Sequence, residues 1–302
     1  MRAMTDDVLS GTALETTPDI SFYCALLEEL RIEVLPTVEL DKVIAAVPPK
    51  ATLAVTSSPA HGVQGTLTTA LALRQHGYRV VPHLAARALR SHQDLASLWQ
   101  QYVATGIDEV SVVGGDQTEP AGEFPDSRTP LTALLELLPG PRRTRIAADP
   151  EGHPHIPADV LEADLLTKQA RADYAITQLV FDPDALVRWL TTMRSRGYTL
   201  PLYLCLPGTL RLDRLIRIGL RLGLGTSLRY PEKQRGLLGR LLTGGIRSDP
   251  SDFFNELARR PAAIQGGIVG IDWSRFNALT SVVEWIHAKR ARLGCPGEGV
   301  RT

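Results

Sequence analysis

The chain has 302 residues, of which 44% are hydrophobic and 22% charged, and its 33 basic and 33 acidic residues balance to a net charge of zero. This composition is typical of a soluble globular protein. A balanced charge excludes a general attraction to nucleic acid or to an anionic membrane surface. No stretch approaches the ~20 apolar residues that span a bilayer, and the N-terminus lacks the basic start and apolar run of a secretory leader.

The three cysteines, Cys24, Cys205 and Cys295, are an odd number and lie far apart in the chain. This pattern predicts neither a disulfide framework nor a structural zinc site, and a reducing cytoplasm is the simplest compartment. The two histidines of His153-Pro-His155 resemble a metal-binding pair only superficially. A proline between them on a loop gives no defined tetrahedral geometry, so we predict no metal.

Residues 1–21 are expected to form a mobile N-terminal arm, residues 22–290 one catalytic domain and residues 291–302 a tail. Within the domain, short apolar runs alternate with segments of helical periodicity, which indicates parallel βαβ units. The predicted strands are Arg31–Leu35, Thr52–Thr56, Arg79–His83, Glu109–Val113, Thr144–Ala148, Tyr174–Gln178, Leu202–Leu206 and Gly267–Ile271. The predicted helices between them include Gly65–His76, Asp94–Thr105, Asp182–Arg196 and Leu210–Leu222, several followed by a glycine: Gly77, Gly106, Gly197 and Gly223.

Eight strand–helix repeats in a domain of this size predict an α/β fold of the (βα)8 TIM-barrel type. A doubly wound open sheet is the alternative, but no Gly-x-Gly-x-x-Gly turn follows the first strand, which counts against it. In a barrel the C-terminal strand ends form the site. Those ends carry Glu33, Thr56, His83, Asp116, Asp149 with Glu151 and His153, Gln178, and Asp272 with Asn277. This polar ring with few lysines suits a neutral, ring-shaped substrate better than a bare phosphate.

Glu33 is the candidate proton donor of this ring. Side chains alternate along a strand, so Glu33 points away from Ile32 and Val34 and into the barrel. Loss of water there raises the pKa of a carboxyl group, and the glutamate can then donate a proton near neutral pH. The alternative is a structural carboxylate paired with an arginine.

Other strand ends carry weaker signals. Asp116 follows two glycines, which lets the backbone approach a ligand, and its carboxylate could accept from an amidine-like N–H pair or cap a turn. Gln178 can both donate and accept, which suits the orientation of a heterocycle. His83 alone is more often a structural histidine than a ligand contact.

Two further segments have open roles. The basic stretch Arg211–Arg235, with leucines at helical spacing, is either a solvated face or a rest for a polyanionic tail. The loop Gln117–Pro130 is either a lid over the site or a surface insertion.

Taken in order, several short segments resemble the methylenetetrahydrofolate reductase family, from about Arg31 to His287. They are Ile-Glu33-Val-Leu-Pro, Val55-Thr56, Pro82-His83-Leu84, Gly115-Asp116, Asp149-Pro-Glu151-Gly-His153-Pro, Ala163-Asp164-Leu165, Ile176-Thr177-Gln178 and Phe276-Asn277. That family belongs to a barrel superfamily that also includes the proline dehydrogenases. The resemblance implies that Glu33 protonates the bridging five-membered ring of a methylene-tetrahydrofolate substrate, which opens it to an iminium that hydride attacks.

The resemblance also implies the roles of the other site residues. Asp116 and Gln178 would hold the pterin, and Asn277 would complete the substrate site. The cofactor contacts would be Thr56, His83, Asp149, His153 and Asp164.

Most family members carry FAD, and this chain departs from them at the positions that hold it. The family holds FAD in part with an arginine before the aspartate, a tyrosine in an Ala-Tyr-Pro-Glu turn, and basic residues after Ala-Asp-Leu. In this chain the resemblance places Gly115 at the position of the arginine and Asp149 at that of the tyrosine. A shortened stretch, residues 167–170, stands at the position of the basic residues. Asp149 offers no stacking face and would repel a pyrophosphate. We therefore predict direct hydride transfer from NADH or NADPH, with NADH favoured, and no bound FAD.

Two alternatives stay open. His83 and Asp164 match the family, so the FAD-dependent form of the same reductase is one. A non-catalytic folate-binding barrel is the other, and Glu33 argues against it because a pure binder has no need of a buried acid.

Overall fold

The computed structural model describes residues 19–209, 249–274 and 279–296. Eight parallel strands close into one barrel in sequence order, which confirms the predicted (βα)8 fold and rules out the open sheet. The strands are β1 (Arg31–Val34), β2 (Thr52–Val55), β3 (Arg79–Ala85), β4 (Glu109–Val113), β5 (Arg143–Ala148), β6 (Tyr174–Leu179), β7 (Leu202–Pro207) and β8 (Ile268–Ser274).

Helices alternate with these strands. They are α1 (Ile20–Leu26), α2 (Leu40–Ala46), α3 (Gly62–Gln75), α4 (His92–Ala104), α5 (Arg128–Leu135), α6 (Ala158–Lys168), α7 (Pro183–Ser195), α8 (Ser251–Ala258), α9 (Ala262–Gln265) and α10 (Leu279–Leu293). Helix α7 shows why the sequence sets such boundaries. The Asp182 carboxylate caps its first turn, Pro183 occupies the first helical position, and Gly197 follows its end with a φ of +90°.

The first seven predicted strands agree with the structure to within two residues, although β3 runs to Ala85, so His83 lies inside that strand and not at its end. Strand β8 runs to Ser274, three residues beyond the predicted end. Asp272 therefore lies inside the strand, not at its end, and its side chain is completely buried. The predicted helix Leu210–Leu222 and Gly223 lie outside the described residues.

The buried apolar side chains form two separate groups. The larger one packs the outward faces of the strands against the helices. The smaller one lies inside the barrel and contains only Tyr174, Ile176, Leu179, Tyr203 and Cys205. The interior of the barrel is therefore unusually polar, since TIM barrels fill this space mainly with branched aliphatic side chains.

Arg31 occupies the end of the barrel interior that is remote from the strand C-termini. Its guanidinium donates to the Tyr174 hydroxyl at 2.7 Å and to Glu29 at 3.2 Å, and it lies 3.5 Å from Glu109. It also stacks over the Tyr203 ring, 4.6 Å from the centroid. Arg31 is 1% exposed, so this cluster closes the barrel on that side.

A disulfide joins Cys24 in α1 to Cys295, just after α10, with 5.4 Å between the Cα atoms. The expectation of no disulfide was wrong. Cysteine spacing could not reveal the pair, because the two residues are 271 positions apart and meet only when the barrel closes. The bond also removes the cysteine-based argument for a reducing compartment.

The disulfide is expected to stabilise the fold. The bond closes a very long loop and so restricts the conformations of the unfolded chain. Reduction removes this restriction, and the free energy of unfolding should therefore fall by about 2–4 kcal/mol. Urea denaturation with and without dithiothreitol measures this. A Cys24→Ser, Cys295→Ser double variant is the control, because its midpoint should not respond to the reductant. An equal response from both proteins would contradict the prediction.

Helix α1 begins at Ile20, and α10 continues to Leu293. Among the described residues, no helix is long and apolar enough to cross a membrane.

Candidate active site

Glu33 lies in β1 and points into the barrel, as the alternation of the strand predicts, with 15% of its side chain exposed. The Cys205 thiol donates to Glu33 Oε2 at 3.7 Å, and His83 Nε2 lies 3.8 Å from Oε1. Burial raises the pKa of Glu33 to about 7, and the nearby charge of Asp272 acts in the same direction. The carboxyl group can therefore hold a proton near neutral pH and release it.

A buried charge network lies beside Glu33. Arg145 Nη1 bonds Asp272 Oδ2 at 2.5 Å, and neither side chain is exposed to solvent. Arg145 Nη2 is 2.5 Å from His83 Nε2 and 3.9 Å from Glu33 Oε1. Burial, reinforced by Arg145, holds the pKa of His83 well below its usual value, so the ring is neutral and accepts from the guanidinium.

Sequence reasoning missed Arg145. A signal for it existed, since an arginine in an apolar strand, in phase with inward positions, must find an anionic partner when buried. The predicted alternative for Glu33 was a pairing with an arginine. The structure does place Arg145 within ion-pair distance of Glu33, at 3.9 Å, but its shorter bond, at 2.5 Å, is to Asp272.

Asp116 and Gln178 both lie exposed at the C-terminal ends of their strands. Asp116 follows Gly115, whose φ is +94° and where a Cβ atom would lie 2.7 Å from Gln117 Oε1 and 3.1 Å from Ala85 Cβ. Gln178 Oε1 accepts from the backbone N–H of Leu179 at 3.1 Å. The structure thus brings an acceptor and an amide to the same face of the barrel as Glu33.

Three of the predicted cofactor residues also lie at this face. Thr56 follows β2, and its hydroxyl donates to the carbonyl of Val34 at 3.3 Å. Burial raises the pKa of Asp149, just after β5. His153 is exposed, and its Nδ1 accepts from the N–H of His155 at 3.2 Å.

Asp164, another predicted cofactor contact, is already paired. In α6 its carboxylate lies 2.5 Å from Lys168 Nζ and 3.4 Å from Arg128 Nε. Lys168 is itself buried and donates to the Ser127 hydroxyl at 3.0 Å. These bonds occupy both the acid and the only lysine of this segment.

Glu151 belongs to the predicted polar ring but has a structural role. Its Oε1 accepts from the backbone N–H groups of Phe181 and Asp182, at 2.6 and 2.8 Å. Burial raises its pKa to about 7. Glu151 therefore ties the β5 loop to the start of α7.

The predicted loop of residues 117–130 ends earlier than expected, because α5 begins at Arg128, and Arg87 anchors it to the turn after β3. The Arg87 guanidinium donates to three of its carbonyls, those of Gln117, Thr118 and Pro125, at 2.8, 2.5 and 3.0 Å. The Phe124 ring is completely buried. These contacts hold the loop in a defined position next to Asp116.

Some predicted features lie outside the described residues, namely Asn277 and the whole Arg211–Arg235 stretch. Within residues 19–209, 249–274 and 279–296, no cluster of three or more histidine, cysteine or acidic side chains could hold a metal ion.

The family model for methylenetetrahydrofolate reductase matches residues 40–217, more than half of the chain. The chain belongs to the methylenetetrahydrofolate reductase family. It is therefore an oxidoreductase of one-carbon metabolism, from a family that binds folates and uses a nicotinamide hydride donor. The match begins after Glu33 and ends before Asp272, so the roles of these two residues in a methylenetetrahydrofolate reductase rest on geometry and on the motif around Glu33.

Three solved structures are similar to this chain at low sequence identity. Dihydropteroate synthase from Thermus thermophilus is 12% identical with a TM-score of 0.42, over 88% of this chain and 94% of that chain. An oxaloacetate acetylhydrolase is also 12% identical with a TM-score of 0.44, over 93% and 100%. Muconate cycloisomerase from Pseudomonas fluorescens is 12% identical with a TM-score of 0.35, over 65% and 48%.

Proposed function

We propose that the protein reduces 5,10-methylenetetrahydrofolate to 5-methyltetrahydrofolate by direct hydride transfer from a reduced nicotinamide, without bound flavin. The observation that carries this proposal is the state of Glu33. Its carboxyl group lies at the C-terminal mouth of the barrel, largely removed from water, with a pKa raised to about 7. A carboxyl group in this state is an efficient general acid near neutral pH.

The reaction needs one proton and one hydride. Glu33 donates its proton to a nitrogen of the bridging five-membered ring, the carbon–nitrogen bond breaks, and the electron pair stays on that nitrogen. The resulting iminium carbon accepts hydride and becomes a methyl group, while the nicotinamide is oxidised. Glu33 then regains a proton from solvent at the mouth.

Asp116 and Gln178 suit the binding of the pterin ring. Both are exposed at the mouth that Glu33 faces. A carboxylate accepts from neighbouring N–H groups, and an amide pairs with a ring that offers both a donor and an acceptor. We assign the same substrate site to Asn277 on its sequence motif alone.

The residues present do not fit the pyrophosphate of FAD. An anion at the β5–α6 segment would meet the carboxylates of Asp149 and Asp164. Lys168, the only lysine of that segment, is already neutralised by Asp164 at 2.5 Å and buried. Binding an anion here would require this ion pair to be broken. This misfit supports a flavin-free enzyme.

Reduced nicotinamide nucleotide would then approach along the ends of β2 and β5. Thr56, Asp149 and His153 lie there and are its proposed contacts, with Asp149 accepting from hydroxyl or amide groups of the nucleotide and its pyrophosphate placed away from the β5–α6 segment. His83 faces Glu33 and Arg145 inside the barrel, so its proposed role is to line the reacting end of the site. Asp164 has a supporting role: it pairs with Lys168, which donates to the Ser127 hydroxyl. NADH is the favoured donor.

The test is an absorbance spectrum of the purified protein from about 300 to 500 nm, followed by an assay without added flavin. We expect a colourless protein that oxidises NADH or NADPH only when methylenetetrahydrofolate is present. A bound-flavin spectrum would overturn the flavin-free mechanism. A colourless protein with no activity towards either nucleotide would overturn the proposed reaction.

A further inference from the structure

The ion pair between Arg145 and Asp272 lies directly below Glu33. In the register of neighbouring strands, Glu33 of β1 pairs with Ser274 of β8. Asp272, two residues earlier in β8, pairs with Arg31 and Cys205 and so lies deeper in the barrel than Glu33. The titratable or charged groups that face Glu33 come from β3, β5, β7 and β8, and they are His83, Arg145, Cys205 and Asp272.

Arg145 is the only cation among these groups, since His83 is neutral. Its distance to Glu33 Oε1 is 3.9 Å, against 2.5 Å to Asp272 Oδ2. Two carboxyl groups therefore compete for one guanidinium, and Asp272 holds it. The pairing uses a single bond, because Arg145 Nε and Asp272 Oδ1 have no hydrogen-bond partner among the described residues.

We propose that Asp272 is a positioning residue for the proton transfer: it holds Arg145 away from Glu33, so that Glu33 keeps its proton until the substrate takes it. The inference rests on the proposed function of Glu33 as a general acid. Asp272 lies outside the residues matched by the family model.

The physical argument concerns which carboxyl group is ionised. A buried arginine stays charged and requires one carboxylate nearby. Asp272 supplies that carboxylate and also repels a second negative charge at Glu33. If Asp272 were neutral, Arg145 would be free to pair with Glu33, and the same site would hold an ionised glutamate that has no proton to give.

The test is the pH profile of kcat/KM for Asp272→Asn. In the unsubstituted protein, activity should fall as pH rises through about 7, the pKa of Glu33. In the variant this limb should move down by at least about one unit, because an unopposed arginine lowers a carboxyl pKa by about 1–3 units. For a shift of one unit, the variant should be about tenfold less active than the unsubstituted protein at pH 8, and the two should nearly agree at pH 5; a larger shift should widen the difference at both pH values.

Glu109→Gln is the matched control. Glu109 is also a mostly buried carboxylate of the barrel interior, but its partners are Arg31, Arg143 and Tyr174 at the opposite end. Its loss should leave the pH limb in place. A uniform loss of activity at every pH in Asp272→Asn, with no movement of the limb, would mean that Asp272 is merely structural and would overturn the proposal.

A second variant and a second readout keep the test decisive. The double variant Arg145→Gln, Asp272→Asn removes both charges and should return the limb towards its original position. Titration of the Glu33 carboxyl by ¹³C NMR, assigned with Glu33→Gln, reports the same shift without any assay. If Asp272→Asn lowers the Glu33 pKa but the unsubstituted protein is no reductase, only the proposed function fails. If the Glu33 titration does not move, the inference fails.

Discussion

Replacing Glu33 with glutamine is expected to reduce kcat by about 10²–10⁴-fold while the protein stays folded, because a positioned general acid contributes about this much. Glutamine has nearly the same shape, but it has no proton to donate to the leaving nitrogen. Steady-state kinetics with methylenetetrahydrofolate measures the loss, and direct titration of folate binding should show an affinity within about tenfold of the original.

Glu151→Gln is the control for this experiment. Its carboxyl group also has a pKa raised to about 7 by burial, yet it serves as an acceptor for backbone N–H groups near α7. We expect this variant to lose some stability and to keep reductase activity within about tenfold. If Glu33→Gln retained activity comparable with that of Glu151→Gln, Glu33 would not be the proton donor.

The same Glu33 substitution should make the protein more stable in alkali. The folded state raises the pKa of Glu33 from 4.5 to about 7, so it binds this proton more tightly than the unfolded chain does. The stability that the proton contributes is present below pH 4.5 and is lost as pH rises through about 7. At pH 8 the glutamine variant avoids this loss, which is of the order of 3 kcal/mol. Urea denaturation at pH 5 and pH 8 should show the gain mainly at pH 8.

Replacing Arg145 with leucine is expected to destabilise the fold by about 3–5 kcal/mol, because Asp272 is left as an uncompensated buried charge. Both side chains are completely buried. His83 also loses the guanidinium that it accepts from. Chemical denaturation at neutral pH measures the effect.

The matched control is a surface ion pair of similar length. Arg142 Nε lies 2.7 Å from Asp108 Oδ2, but the two side chains are 71% and 54% exposed. Arg142→Leu should therefore cost less than about 1 kcal/mol. Adding Asp272→Leu to Arg145→Leu should recover much of the lost stability, since both charges are then gone. Equal costs for Arg145→Leu and Arg142→Leu would contradict the buried pairing.

Local pattern was enough to predict the barrel and the direction of Glu33. The alternation of side chains along a strand depends only on backbone geometry, so Glu33 had to point to the opposite face from Ile32 and Val34. Strand and helix periods, with glycines at helix ends, likewise act over a few residues. The sequence motifs also predicted the position of Asp116 and Gln178 at the mouth of the barrel.

The partners of these residues were decided only by the tertiary structure. Arg145 meets Asp272 across 127 positions, and Cys24 meets Cys295 across 271. Asp164 is taken up by Lys168 and Arg128, although its sequence segment suggested a cofactor contact. Which carboxylate a buried arginine selects depends on how the closed barrel places strands side by side and removes water. No short-range pattern in the chain carries that information.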